Sequence, residues 1–315
     1  MLLILITERL VFDVNTENTI LEEIRKLKEE RNAVILAHNY QLAEVQDIAD
    51  FTGDSLELSR KASEVESDVI VFCGVFFMAE TAKILSPDKT VLLPDKNAGC
   101  PMADMITASQ LREFKAQYPN RPVVTYVNSS AEVKAESDIC CTSANAVKVV
   151  ESIDADEILF VPDKSLGSYV ASKTNKKVIC YCGYCPTHHR ILTEDVIKTK
   201  REHPNAEVVA HPECTQEVVR LADAVESTSG MLRYIRESNK EEFIMCTERG
   251  ILHRLQKENP EKKFYNPNTL NICPNMKYID LYKVRDSLKE MKYEIKLPVD
   301  VIDKARNAIE GMIRI

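Results

Sequence analysis

Three stretches of the chain carry one hydrophobic pattern: AVILAHNYQLAEVQDIADFTGDSLELSRKA, VVTYVNSSAEVKAESDICCTSANAVKVV and EVVAHPECTQEVVRLADAVESTSGMLRYI. Each opens on a short β-branched run that closes on a polar or aromatic residue: His38, Tyr126 or His211. A Ser/Thr-rich turn follows 17 positions later, at Ser55, Ser143 and Thr228, and helical periodicity begins there. The second halves agree as well. DVIVFCG, DEILFVPD and EFIMCTE are apolar runs of strand length, followed by a helical stretch and then TVLLP, KVICY or KKFYN. A cysteine comes soon after each, Cys100, Cys185 and Cys273, lying 45, 42 and 45 positions beyond the turns. An internal repeat with this spacing predicts three units built alike.

Each unit reads as strand–helix–strand–helix–strand–helix–strand. Short apolar strands alternating with helices predict an α/β fold with parallel sheets covered on both faces, hence three homologous three-layer α/β/α domains. The expected boundaries are 1–104 together with 277–315, then 105–190, then 191–276. Ligands of such sheets bind beyond the carboxyl ends of the strands. A pseudo-threefold arrangement would therefore bring all the strand-end residues to one central site. The C-terminal stretches IDLYKVRDSLKEMKYEIKLP and DVIDKARNAIEGMIRI read as amphipathic helices packing back on the first unit. The opening MLLILITERLVF reads as a short strand or docking segment. Its six leading apolar residues fall far below the roughly 20 needed to span a bilayer, and it lacks the basic start of a signal peptide.

Composition narrows the partners. A formal charge of −8 and a pI near 5.5 leave no basic excess to neutralise phosphates, so neither nucleic acid nor membrane is expected as a partner. Anionic small molecules stay open, because local charge decides their binding. The expected location is the cytoplasm, where ten cysteines would not form disulfides. Cys73, Cys141, Cys180 and Cys246 sit in or beside strand-like runs and read as packing residues. Cys140, Cys182 and Cys214 flank other motifs and stay open. The Cys182/Cys185 pair alone fits a redox dithiol, a metal knuckle or neither; the repeat position favours Cys185 as a ligand. One thiolate per unit gives three ligands, where four would close a structural zinc site or saturate a cluster. Three thiolates on a [4Fe–4S] cluster leave one iron open as a Lewis acid.

His38 and Tyr40, Tyr126 and Asn128, and His211 and Glu213 occupy corresponding strand ends. Tyrosine and histidine can donate to a developing enolate or take a proton, and a partly buried glutamate can act as general base. The turns TGDS, CTSAN and ESTSG offer hydroxyls and backbone N–H groups to a phosphate or carboxylate, besides ordinary helix capping.

The motifs AHNYQ, TGDSLELS, GVFFMAETAKIL, NAGCPMAD, VTYVNSSAEVKAESDICCTSANA, GYCPTH, HPEC, STSGM and CPNMKYI resemble those of the quinolinate synthase family from Ala33 to beyond Cys273. The resemblance implies a central [4Fe–4S] cluster on Cys100, Cys185 and Cys273, with one open iron. It implies condensation of iminoaspartate with dihydroxyacetone phosphate, losing phosphate and two waters, to form quinolinate for NAD biosynthesis. An aspartate-oxidising enzyme would be the source of the iminoaspartate. Tyr40 and Glu213 match residues of proton transfer, with His211 and Tyr126 as helpers. His38, Ser55, Asn128, Ser143 and Thr228 match substrate-binding positions. Some members carry three cysteines at the last ligand; here Cys273 stands alone in NICPNMKY, so no disulfide is expected there. Two competing readings are a dehydratase that only eliminates water from a hydroxy acid, and a non-enzymatic metal-stabilised scaffold or redox sensor.

Overall fold

Four parallel strands in one repeated order build each unit. In the computed structural model, which describes residues 19–315, the first sheet comprises β1 (Ala33–His38), β2 (Phe51–Gly53), β3 (Val69–Cys73) and β4 (Thr90–Leu92), ordered β2-β1-β3-β4. The second comprises β5 (Val123–Tyr126), β6 (Ile139–Cys141), β7 (Glu157–Val161) and β8 (Lys177–Cys180), ordered β6-β5-β7-β8. The third comprises β9 (Glu207–Ala210), β10 (Ala224–Val225), β11 (Glu242–Cys246) and β12 (Lys263–Tyr265), ordered β10-β9-β11-β12. Helices link the strands, giving the expected α/β architecture of three helix-flanked parallel sheets. The apolar start of the chain, expected as a strand or docking segment, lies outside the described residues. No described helix is long and apolar enough to cross a membrane.

The apolar runs form strands because both faces are covered. All five residues of VIVFC in β3 are buried, as a sheet sandwiched between helices requires. One large core cluster runs through the first unit, one face of the second and part of the third. Smaller clusters fill the other faces of the second and third units.

A shared device pins the edge strands. Asp50, Asp138 and Asp223 each stand just before the edge strand and accept the backbone N–H of a residue 15 positions earlier: Ile35 at 2.8 Å, Val123 at 2.7 Å and Val208 at 2.8 Å. Each aspartate returns its own N–H to the carbonyl of that same residue. Strands of two or three residues have few ladder bonds, so this reciprocal pair fixes where the edge strand begins and its register on the neighbouring strand.

The C-terminal segment ties units together. Helix Leu281–Glu290 lies on β3, and residues 293–295 run beside β4, with Ile295 N–H on the Val91 carbonyl at 2.8 Å. Helix Val299–Arg314 packs against helix Phe76–Leu85 of the first unit and against helix Ala131–Ala135 and β6 of the second. Asn145 Nδ2 donates to the Met312 carbonyl at 2.9 Å, and an Arg60 guanidinium N–H donates to the Ile313 carbonyl at 3.0 Å.

Candidate active site

The carboxyl ends of the three sheets enclose one cavity, whose space, mouth included, is about 650 Å³. Its wall holds His38, Tyr40, Ser55, Cys100, Tyr126, Asn128, Ser143, Cys185, His211, Glu213, Thr228 and Cys273. Every residue singled out from the sequence is thus brought to the same place.

The strand ends are built alike. After β1, the Tyr40 N–H donates to His38 Nδ1 at 3.1 Å; after β9, the Glu213 N–H donates to His211 Nδ1 at 3.3 Å. This local turn throws Tyr40 and Glu213 forward into the cavity. Burial lowers the pKa of both histidines to about 3, with Lys277 adding to the effect at His38 and His188 at His211. Both are therefore neutral imidazoles near pH 7, fit to give or accept a hydrogen bond. Ser55 and Thr228 each open a ten-residue helix, and Ser143 precedes helix Ala146–Ser152. Asn128 Oδ1 is buried without a hydrogen-bond partner among the described residues, an acceptor that a bound molecule would satisfy.

Glu213 is the centre of the polar network. The Tyr126 hydroxyl donates to its Oε1 at 2.7 Å, and His188 Nδ1 lies 2.6 Å from its Oε2. Burial alone would push the carboxyl up, but the adjacent His188, with His211 and the Tyr126 phenol, holds it well below the usual carboxylate range. Burial raises both phenols, and the charge of Glu213 adds to the effect at Tyr126. At Tyr40 the hydrogen bonds with Thr228 and Thr247 oppose that rise.

Each thiol is carried by a separately braced loop. Cys185 caps the short helix Pro186–His189. Its loop is locked to the second sheet by the Lys164 N–H on the Gly183 carbonyl at 2.8 Å and by the bridge between Asp163 and Gly183. Asp163 is fully buried and caps helix Lys164–Ala171 through the Leu166 N–H at 2.8 Å. Glu248 Oε1 accepts the Cys273 N–H at 3.1 Å and Lys277 Nζ lies 3.2 Å from it. Asn275 Nδ2 donates to the Gly99 carbonyl at 2.9 Å, joining the loop of Cys100 to that of Cys273. A methyl group at Gly183 would sit 2.6 Å from the Pro162 carbonyl oxygen, which is backbone and cannot step aside. Gly183→Ala is expected to cost about 1–3 kcal/mol in denaturant unfolding and to lower metal content by displacing Cys185.

The three thiols share a charge field. Burial pushes Cys100 up to about 12, with Cys273 nearby reinforcing it; Cys185 is raised by burial, by Glu213 and by the other two thiols. Cys273 is likewise raised by burial. Three half-buried thiols on one cavity wall that resist ionisation together are suited to a metal centre, whose positive charge would hold them as thiolates. Cys182 is exposed and lies off the cavity wall, whereas Cys73, Cys140, Cys141, Cys214 and Cys246 are buried in the cores.

Sequence reasoning missed three residues. His188 lines the cavity, stacks on His211 at 4.7 Å between ring centroids, and has Nδ1 3.1 Å from Cys185 Sγ. Cys185, His188 and Glu213 together offer donor atoms within 4.8 Å of one another. Thr247 and Glu248 leave β11 and brace Tyr40 and Cys273 respectively. GYCPTH ended on His188, but the repeat gave it no counterpart elsewhere. EFIMCTE reads as a strand, and no spacing marks its last two residues as site groups.

Comparison with known proteins then adds family information. A family profile described as quinolinate synthetase A protein, NadA, matches residues 22–314. A quinolinate synthase of Dehalococcoides mccartyi is 57% identical over 293 residues, covering 93% of this chain and 97% of the relative. The quinolinate synthase of Thermodesulfovibrio yellowstonii is 55% identical over 297 residues, 94% and 98% of the two chains. That of Methanosarcina barkeri is 54% identical over 296 residues, 94% and 97%.

Proposed function

Because the chain belongs to the quinolinate synthetase A family and is an enzyme of the quinolinate synthase type in NAD biosynthesis, we propose that its central cavity condenses iminoaspartate with dihydroxyacetone phosphate. The products are quinolinate, phosphate and two waters. The observation that carries this reading is the meeting of one thiol from each unit with Tyr40, Tyr126 and Glu213 in one cavity. A hydroxy-acid dehydratase would need no second substrate, and a scaffold would not need proton-transfer groups buried around its metal.

The residues fit a [4Fe–4S] cluster: the cavity gathers three soft thiols and no fourth cysteine among the described residues lines it. Cys100, Cys185 and Cys273 would hold it. When bound, it supplies an open iron that acts as a Lewis acid toward nitrogen and carboxylate donors. Glu213, held as a carboxylate, accepts the proton from the carbon beside the imine at one of its Oε atoms. Tyr40 and Tyr126 present hydroxyls to oxygens that gain charge or leave as water. Ser55, Ser143 and Thr228 hold carboxylate or phosphate oxygens, and Asn128 orients the substrate through its free Oδ1. His38 and His211, uncharged, add hydrogen bonds without repelling a cationic imine. The cavity is walled by three units, which keeps water from an imine that it would hydrolyse.

The Cys185–His188–Glu213 set supports a second reading, a single zinc-like ion on mixed N, O and S donors. Protein purified without oxygen separates the two. About four irons and four sulfides per chain, with quinolinate formed from the two substrates, are expected. Stoichiometric zinc without sulfide, unchanged by reconstitution and accompanied by no quinolinate, would overturn the proposal.

A further inference from the structure

We propose that Thr247 is a positioning residue of this reaction, whose hydroxyl joins Tyr40 to His188 and Glu213 and sets the direction of every hydrogen bond between them. The proposal rests on the functional reading above and adds a residue to it. Thr247 is fully buried one layer behind the cavity wall, so it does not meet substrate. Its Oγ1 is 2.7 Å from the Tyr40 hydroxyl and 3.0 Å from His188 Nε2. Its carbonyl is held by Asn271 Nδ2 at 2.7 Å, which keeps the residue in place at the end of β11.

Counting hydrogens orders the chain. Each hydroxyl has one hydrogen to give. Thr228 donates to the Tyr40 oxygen at 3.1 Å, and when Tyr40 gives its own hydrogen to Thr247 at 2.7 Å the order of the remaining bonds follows. The hydrogen of Thr247 then goes to His188 Nε2 at 3.0 Å, which accepts it as the bare nitrogen of a neutral imidazole in this arrangement. His188 consequently carries its hydrogen on Nδ1, facing Glu213 Oε2 at 2.6 Å, and Tyr126 completes the carboxylate from the other side. The chain thus runs Thr228, Tyr40, Thr247, His188, Glu213, and it ends on an acceptor that also receives Tyr126. It draws on all three units. Without the Thr247 hydroxyl, the Tyr40 phenol loses its acceptor and His188 loses the donor that selects its tautomer. Both groups would then turn from the substrate.

Three variants of the anaerobic, iron-loaded full chain test this: Thr247→Val, Thr247→Ser and Tyr40→Phe. Thr247→Val keeps the shape of the side chain and removes its hydroxyl. It is expected to lower kcat about 10–100-fold, with KM within about threefold and iron and sulfide content unchanged. Thr247→Ser, which restores the hydroxyl, should recover kcat to within about threefold. A Thr247→Val enzyme as fast as the parent, or a Thr247→Ser enzyme as slow as Thr247→Val, overturns the proposal. A second arm needs no turnover. The losses in Tm of Thr247→Val and Tyr40→Phe should fall short of additivity in the double variant, because both remove one hydrogen bond. Additive losses overturn the link between the two hydroxyls whether or not quinolinate is formed. Absence of quinolinate from the parent enzyme, with non-additive losses, instead overturns the functional reading and leaves the hydrogen-bond chain standing.

Discussion

Cys185→Ser is expected to abolish quinolinate formation and to bring iron and sulfide well below the roughly four of each per chain expected of the parent. Cys182→Ser, three positions away, is expected to leave both unchanged. The difference follows from placement. Cys185 lies on the cavity wall with Cys100 and Cys273, while Cys182 is exposed to solvent outside it. A serine hydroxyl is far harder to ionise than a thiol and is a harder donor, so it replaces a thiolate poorly on iron. The remaining two thiols, in a pocket that already resists their ionisation, cannot hold the cluster tightly. Iron and sulfide analysis of anaerobically purified protein, followed by the visible absorption of the cluster, reads the result directly. Retention of the cluster by Cys185→Ser and its loss from Cys182→Ser would transfer the ligand role to Cys182.

Glu213→Gln is expected to keep iron and sulfide at the parent level and to lower kcat by about 10²–10⁴-fold, the range for loss of a positioned acid–base group. The amide is nearly the same size, so the cavity keeps its shape. Its oxygen can still accept from Tyr126, but the NH₂ then faces His188 Nδ1, where the carboxylate took a hydrogen bond at 2.6 Å. Two donors would oppose one another there, and His188 would have to change tautomer or turn away. The loss therefore combines a missing base with a disordered neighbour. Cluster content and kcat measured on the same sample separate this from metal loss, and unchanged turnover would exclude Glu213 from proton transfer.

Much of this arrangement was legible in the chain because it repeats. The strand-end pairs His38/Tyr40 and His211/Glu213 announce themselves by matched spacing, and the structure gives them the same backbone-to-imidazole turn. The sheet units were legible for a similar reason: buried parallel strands need unbroken apolar runs. The paired aspartates of the edge strands also lie at equal spacing, 15 residues from their partners, yet an acidic residue before a short strand resembles any loop residue until its partner is known. His188 and Thr247 follow no repeat. Thr247 meets Tyr40 across 207 residues of sequence, a contact set by how the first unit docks on the third and by no local pattern. Repetition encodes what each unit does alone, and the hydrogen-bond network of the cavity is assembled from what the units do to one another.

The distribution of the thiols, one to each sheet, also orders events in time. A chain emerging from synthesis has made all four strands of its first sheet long before Cys273 exists, although the first two units still await the C-terminal helices that pack on them. Iron offered at that stage meets one or two cysteines, a poor trap for it. Only when the last loop has been made and the third unit has closed against the first two does the full set of donors exist, so on the proposed reading cluster loading would report on the completed chain. On the proposed reading, a protein cut short or docked wrongly would lack the full donor set and stay without its cluster.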